Sequence, residues 1–132
     1  MYAVFDNSLV TGNDMIDSQH QELIQKINDL LKSCETSSGQ VTAVKTLDYL
    51  ADYTDFHFSA EEKLQEEIGY PGLEEHKKQH EELRKVVAEL HEMLVEEEGP
   101  STAFVERVQK NVIDWLYNHI KVCDRAVAQY KA

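Results

Sequence analysis

Apolar residues along this chain recur in steps of three and four, and turn-forming residues interrupt that rhythm at only a few points. Such steps return side chains to one face of an α-helix. The first run, His20, Leu23, Ile24, Ile27, Leu30 and Leu31, follows Asp17 and Ser18, either of which can cap a helix. The second reads Val44, Leu47, Leu50, Thr54, His57, Glu61, Leu64 and Ile68. The third carries Leu73, His76, His80, Leu83, Val87, Leu90 and Leu94, and the fourth Val105, Val108, Val112, Trp115, Leu116, His119 and Ile120. Breaks at "SSG" (37–39), "GYPG" (69–72) and "EGP" (98–100) separate the runs. The pattern predicts helices over about 18–36, 40–68, 73–97 and 101–122, with an irregular arm over about 1–16 and a short C-terminal segment. Short connections between long helices favour antiparallel neighbours. The expected fold is therefore all-α, an antiparallel up-down-up-down four-helix bundle.

Composition agrees with that class. With 132 residues, 5 Gly and 2 Pro, the chain reads as a single helical domain over 1–132 that can bury its own core. A formal net charge of -12, with basic residues interspersed, argues against nucleic acid and anionic membranes as partners. The N-terminal "MYAVFDNSLV" lacks the basic segment and apolar run of a secretory signal, and no window approaches a membrane span. A cytoplasmic location follows as an expectation, with Cys34 and Cys123 as free thiols. The expected state is a monomer, and no protein partner is identified.

The polar residues inside the apolar stripes change the picture. Each helix puts at least one histidine there: His20, His57, His76 with His80, and His119. Glu61 follows His57 by one turn on the same face, and Asp124 lies five residues after His119. Buried imidazoles and carboxylates need partners, and five nitrogen donors with two carboxylates exceed what one tetrahedral zinc takes. Two borderline transition ions account for the set, with Glu61 and Asp124 as the natural bridges because only carboxylates offer two oxygens. Five residues at about 100° each would set His119 and Asp124 about 140° apart on a straight helix. A widened, π-type turn or a helix end is therefore expected between Ile120 and Asp124.

Other polar residues read as ordinary. His91 returns to the face of His80 but lies about 16 Å farther along, outside the site. Glu62 turns about 100° from Glu61 and reads as a solvated carboxylate. The acidic runs have no EF-hand spacing and read as solvated faces, and no role is assigned to the hydroxyls of Tyr53 and Thr54.

The motifs "IDSQH", "HFSAEE", "YPGLEEHKKQH" and "HIKVCD" resemble those of the hemerythrin family, specifically its bacterial single-domain members, over about residues 9–130. The resemblance implies a non-haem di-iron centre. His76, His80 and His119 would hold one iron and His20 and His57 the other, with Glu61, Asp124 and an oxo or hydroxo group as bridges. It further implies reversible dioxygen binding for storage, delivery or scavenging, with Trp115, Leu116 and Ile120 walling the oxygen pocket. The chain departs from the family at Phe5 and Asp6, where a Trp-Asp pair is expected, and at Gln65, where a Met often stands. An oxygen or redox sensor acting through a separate partner is the alternative, and a peroxide- or nitric-oxide-consuming enzyme ranks below it. No enzymatic activity is expected, because no committed acid or base stands apart from the ligands. Ligand types alone do not separate iron from manganese.

Overall fold

A computed structural model of the chain describes residues 2–35, 39–96 and 100–130. A single 3-10 turn, Asn7–Leu9, lies in the N-terminal arm, followed by three continuous helices, α1 (Asp14–Glu35), α2 (Gly39–Ile68) and α3 (Leu73–Glu96). The fourth rod, 102–129, is composite. It runs through α4 (Thr102–Arg107), a π-helical stretch (Val108–Ile113), α5 (Asp114–His119), a second π-helical stretch (Ile120–Asp124) and α6 (Arg125–Gln129). Consecutive rods pack side by side as an antiparallel four-helix bundle, and the described residues contain no strand. None of the described helices is long and apolar enough to cross a membrane.

Local chemistry explains most helix ends. α1 starts earlier than the pattern predicts, because Asn13, not Asp17 or Ser18, caps it: Asn13 Oδ1 accepts from the Ile16 N–H at 3.0 Å. Asp17 does different work, accepting from Thr11 N–H, Thr11 Oγ1–H and Gly12 N–H and so tying the arm to the first turn. α2 ends in a Schellman arrangement: Gly69 adopts φ +68, its N–H bonds Glu66 O, and the Tyr70 N–H bonds Gln65 O at 2.9 Å. α4 opens on Ser101, whose side chain accepts from Phe104 N–H. The fourth rod continues to Gln129, well past the predicted end, since its π-helical stretches absorb the irregular spacing without stopping the helix. The predicted breaks at 37–38 and 98–99 lie outside the described residues.

The inward stripes become one core that includes Leu23, Ile27, Leu30, Leu47, Leu50, Phe58, Leu90, Phe104, Leu116 and Ile120. On α2 the stripe departs from its predicted course. Leu64 is only half-buried, and Gln65 is fully buried in its place. Val44, Ile68, Leu73 and Val105, also read as inward, are half-buried as well.

Leu90, fully buried in α3, and Val95, 54% exposed near the end of the same helix, provide a contrast. Leu90→Ala is expected to cost about 3 kcal/mol and Val95→Ala no more than about 0.5 kcal/mol, read from urea unfolding of the metal-free protein.

Candidate metal centre

The seven polar residues of the stripes meet at one place inside the bundle. His20, His57, Glu61, His76, His80, His119 and Asp124 are each at most 3% exposed. Their donor atoms form two overlapping groups, one of Glu61, His76, His80, His119 and Asp124, the other of His20, His57, Glu61 and Asp124. Within each group the donors lie within 4.8 Å of one another.

Both carboxylates divide their oxygens between the groups. Glu61 Oε1 lies 2.8 Å from His76 Nε2 and 3.3 Å from His80 Nε2, while its Oε2 lies 3.5 Å from His57 Nε2. Asp124 Oδ1 lies 2.9 Å from His76 Nε2 and 3.1 Å from His119 Nε2, while its Oδ2 lies 2.9 Å from His20 Nε2. The geometry that brings Asp124 in is the π-helical stretch Ile120–Asp124, which ends with the Arg125 N–H bonded to Ile120 O, five residues back. That wider turn lets side chains five apart share a face, as the His119 to Asp124 spacing requires. A second π-helical stretch, Val108–Ile113, carries no cluster residue, and the apolar spacing there gave no sign of it.

The outward-facing nitrogens of three rings are held from a neighbouring helix. His57 Nδ1 is 2.8 Å from Gln19 Oε1, His119 Nδ1 is 2.8 Å from Gln79 Oε1, and His80 Nδ1 is 2.8 Å from Glu62 Oε2. These oxygens can only accept, so the three rings carry their proton on Nδ1 and turn an Nε2 lone pair toward the carboxylates. Gln65 stands 3.1 Å from His76 Nδ1 through Nε2, and its buried Oε1 makes no hydrogen bond. Turning the amide over places an acceptor on that ring as well. Glu62 is therefore not a merely solvated carboxylate, and Gln65 is more than a family departure.

The interior is left with facing bases. Both oxygens of Glu61, Asp124 Oδ2, and the Nε2 atoms of His20 and His80 are buried without a hydrogen bond. Nitrogen atoms as close as 2.9 Å, the His76 to His119 Nε2 separation, match two donors at right angles about 2.1 Å from a common ion. Orphaned lone pairs converging in this way fit cations.

The remaining predicted residues are placed unevenly. Leu116 and Ile120 are buried, and the half-buried Trp115 stacks on His119 with centroids 4.5 Å apart and planes 14° apart. His91 lies apart from the cluster, 3.8 Å from Asp48 on an exposed face. Thr54 Oγ1 donates to Leu50 O, not to a ring.

The profile of the hemerythrin HHE cation binding domain matches residues 11–130. The chain belongs to the hemerythrin family. It is 37% identical over 130 residues to the bacteriohemerythrin of Stenotrophomonas maltophilia (strain R551-3), covering 98% of this chain and 82% of that one. The bacteriohemerythrin of Methylococcus capsulatus (strain ATCC 33009 / NCIMB 11132 / Bath) is 33% identical over 119 residues, covering 87% and 85%. The crystal structure of wild-type hemerythrin superposes with a TM-score of 0.80 at 28% identity, covering 95% of this chain and 94% of that one.

In this hemerythrin domain the metal-free cluster is electrostatically divided. Burial, with the neighbouring His20, lowers His57 to about 3, and burial with the nearby His76 and His119 lowers His80 to about 2. Burial also opposes charge on His76, but its contacts with Asp124 and Glu61 outweigh that and push it up to about 9. Burial and the charge of Asp124 raise Glu61 well above the usual carboxylate range, whereas the close approach of His119, His20 and His76 overcomes burial to hold Asp124 well below it.

The signs set a pH profile. With folded values depressed, the His57 and His80 contributions are full above the ordinary histidine value of 6.5 and are lost as pH falls through the window toward about 3 and about 2. With its folded value raised, the His76 contribution is full below 6.5 and lost as pH rises toward about 9. Glu61 loses stability above its ordinary 4.5, but two histidines outweigh one carboxylate on the acid side. The metal-free protein is expected to melt highest near pH 6.5, with lower melting temperatures at about pH 5 and about pH 9. Bound metal should remove the alkaline decline, because a cation replaces the His76 proton.

Proposed function

We propose that the chain is a reversible dioxygen-binding protein with a non-haem di-iron centre, in which His76, His80 and His119 hold one iron and His20 and His57 the other. Glu61 and Asp124 would hold both ions, together with an oxo or hydroxo group. The division of both carboxylates' oxygens between the two histidine groups carries this reading. A pair of ferrous ions held there would supply the two electrons that dioxygen binding needs.

The chain's own residues supply the rest. Gln19, Gln79 and Glu62 hold protons on Nδ1 and keep the Nε2 lone pairs inward. Leu116 and Ile120, with Trp115 against His119, form an apolar wall that keeps water and protons from the open side. Five neutral imidazoles against two carboxylates stabilise high oxidation states less than a carboxylate-rich site does, which favours binding dioxygen over activating it. Storage, delivery and scavenging all use the same chemistry.

A sensing role has one structural feature in its favour. The N-terminal arm is tied to the helix on both sides of the His119–Asp124 stretch: Val4 N–H bonds the Tyr117 hydroxyl, and Arg125 Nη2 bonds the backbone oxygens of Ser8 and Val10. A change at the metals would reach the arm through those residues.

Metal analysis with visible spectra, taken anaerobically after reduction, then under oxygen, then after purging, tests the reading. Two irons per chain and a charge-transfer band that appears with oxygen and vanishes on purging are expected. Irreversible conversion would favour sensing or peroxide chemistry, and zinc or no metal would overturn the di-iron assignment. His57→Ala, which removes one of only two imidazoles from its group, should lower iron content toward one per chain and abolish the reversible band.

A further inference from the structure

The outer holders of the clustered imidazoles differ in charge. Gln19, Gln65 and Gln79 are neutral amides, whereas the holder of His80 is the carboxylate of Glu62. His20 Nδ1 is buried and makes no hydrogen bond. The rings thus form a series, from unheld His20 through amide-held His57, His76 and His119 to carboxylate-held His80.

Geometry makes the Glu62 contact a fixed one. Its side chain is only 19% exposed, at 2.8 Å from a fully buried ring. His80 stacks face to face on Phe58, with centroids 3.8 Å apart and planes 3° apart. Arg84, one turn along α3 from His80, places its guanidinium 5.2 Å from the Phe58 ring centroid and is anchored on Asp55 at 2.8 Å. The imidazole therefore has little freedom to turn away from its carboxylate.

A charged acceptor draws the Nδ1 proton toward itself more strongly than an amide oxygen does, leaving more electron density at Nε2. A richer donor stabilises the higher charge of an oxidised ion. The donor series also follows the two groups, since the weakest-held ring, His20, belongs to the two-histidine group and the strongest-held, His80, to the three-histidine group.

We propose that Glu62 is a positioning residue that makes His80 the strongest imidazole donor of the cluster and biases the ion of the three-histidine group toward its oxidised form. The inference rests on the di-iron reading and adds to it an inequality between the two ions that exists before any outside ligand arrives. Three of the rings show that an amide can do the holding, so the charge of Glu62 is what distinguishes this ring.

The test pairs Glu62→Gln with the reciprocal Gln79→Glu, which moves a carboxylate onto His119. In the zinc-loaded protein, ring 15N NMR of Glu62→Gln should shift the His80 nitrogens toward those of amide-held His119. In the iron-loaded protein, the same substitution should lower the preference for ferric over ferrous iron by about tenfold, seen as a midpoint potential about 59 mV higher. Gln79→Glu should shift the potential in the opposite direction. Unchanged His80 nitrogens and potential in Glu62→Gln, or shifts of the same sign in both variants, would overturn the proposal. A zinc form in which His80 responds while iron does not bind would count against the di-iron reading and still support the hold of Glu62 on His80.

Discussion

The structure depends on keeping imidazole lone pairs pointed at buried carboxylates. Acceptor oxygens on the outer nitrogens of His57, His80 and His119 fix where those rings' protons sit, and the inner Nε2 atoms then face Glu61 and Asp124 with no proton between them. Facing bases repel unless a positive charge stands among them. Without metal the cluster meets that need only in part, by protonating His76. The same arrangement that makes the interior costly when empty therefore makes it selective for cations.

Two backbone devices serve that arrangement. His57 and Glu61, four apart on a regular helix, share a face with no adjustment, but His119 and Asp124, five apart, share one only because the helix widens to π geometry between Ile120 and Asp124. The Schellman turn at Gly69 is the second device. It uses the backbone oxygen of Gln65 to stop α2, while the side chain of the same residue turns to His76 at the start of α3. Helix termination and ring orientation are thus handled by one residue, which accounts for the complete burial of Gln65 where the neighbouring Leu64 was expected to face inward.

The bundle, the seven converging side chains and the widened turn were legible in the sequence because each follows from helical periodicity and its one violation. The outer holders were not. Gln19, Gln79 and Glu62 each sit beside a cluster residue on their own helix, a position that a single-helix projection turns about 100° away from the core and assigns to solvent. In a bundle that direction is the seam with the next helix. Gln19 on α1 serves His57 on α2, Glu62 on α2 serves His80 on α3, and Gln79 on α3 serves His119 on α5. The polar residues that flank the inward histidines and Glu61 in sequence are the place where such holders are found. The start of α1 was misplaced for a related reason. Asp17 has cap chemistry, but the arm occupies its oxygens, and Asn13 was free to cap.

Charge balance links this design to the proposed chemistry. With two ferrous ions bound, the two bridging carboxylates would offset only half of the four positive charges, and oxidation of both ions would add two more positive charges to a region where every ligand is nearly dry. Each added anion would make that oxidation easier. The chain keeps a further carboxylate, Glu62, one residue outside the seven-residue cluster and partly exposed, where water and the Arg84 guanidinium weaken its field. An anion at that distance can tilt one ion toward oxidation through its hydrogen bond to His80 without neutralising the centre. On the proposed reading, a site so balanced would give up electrons to dioxygen and take them back, whereas a carboxylate in the place of His80 would favour keeping the ions oxidised.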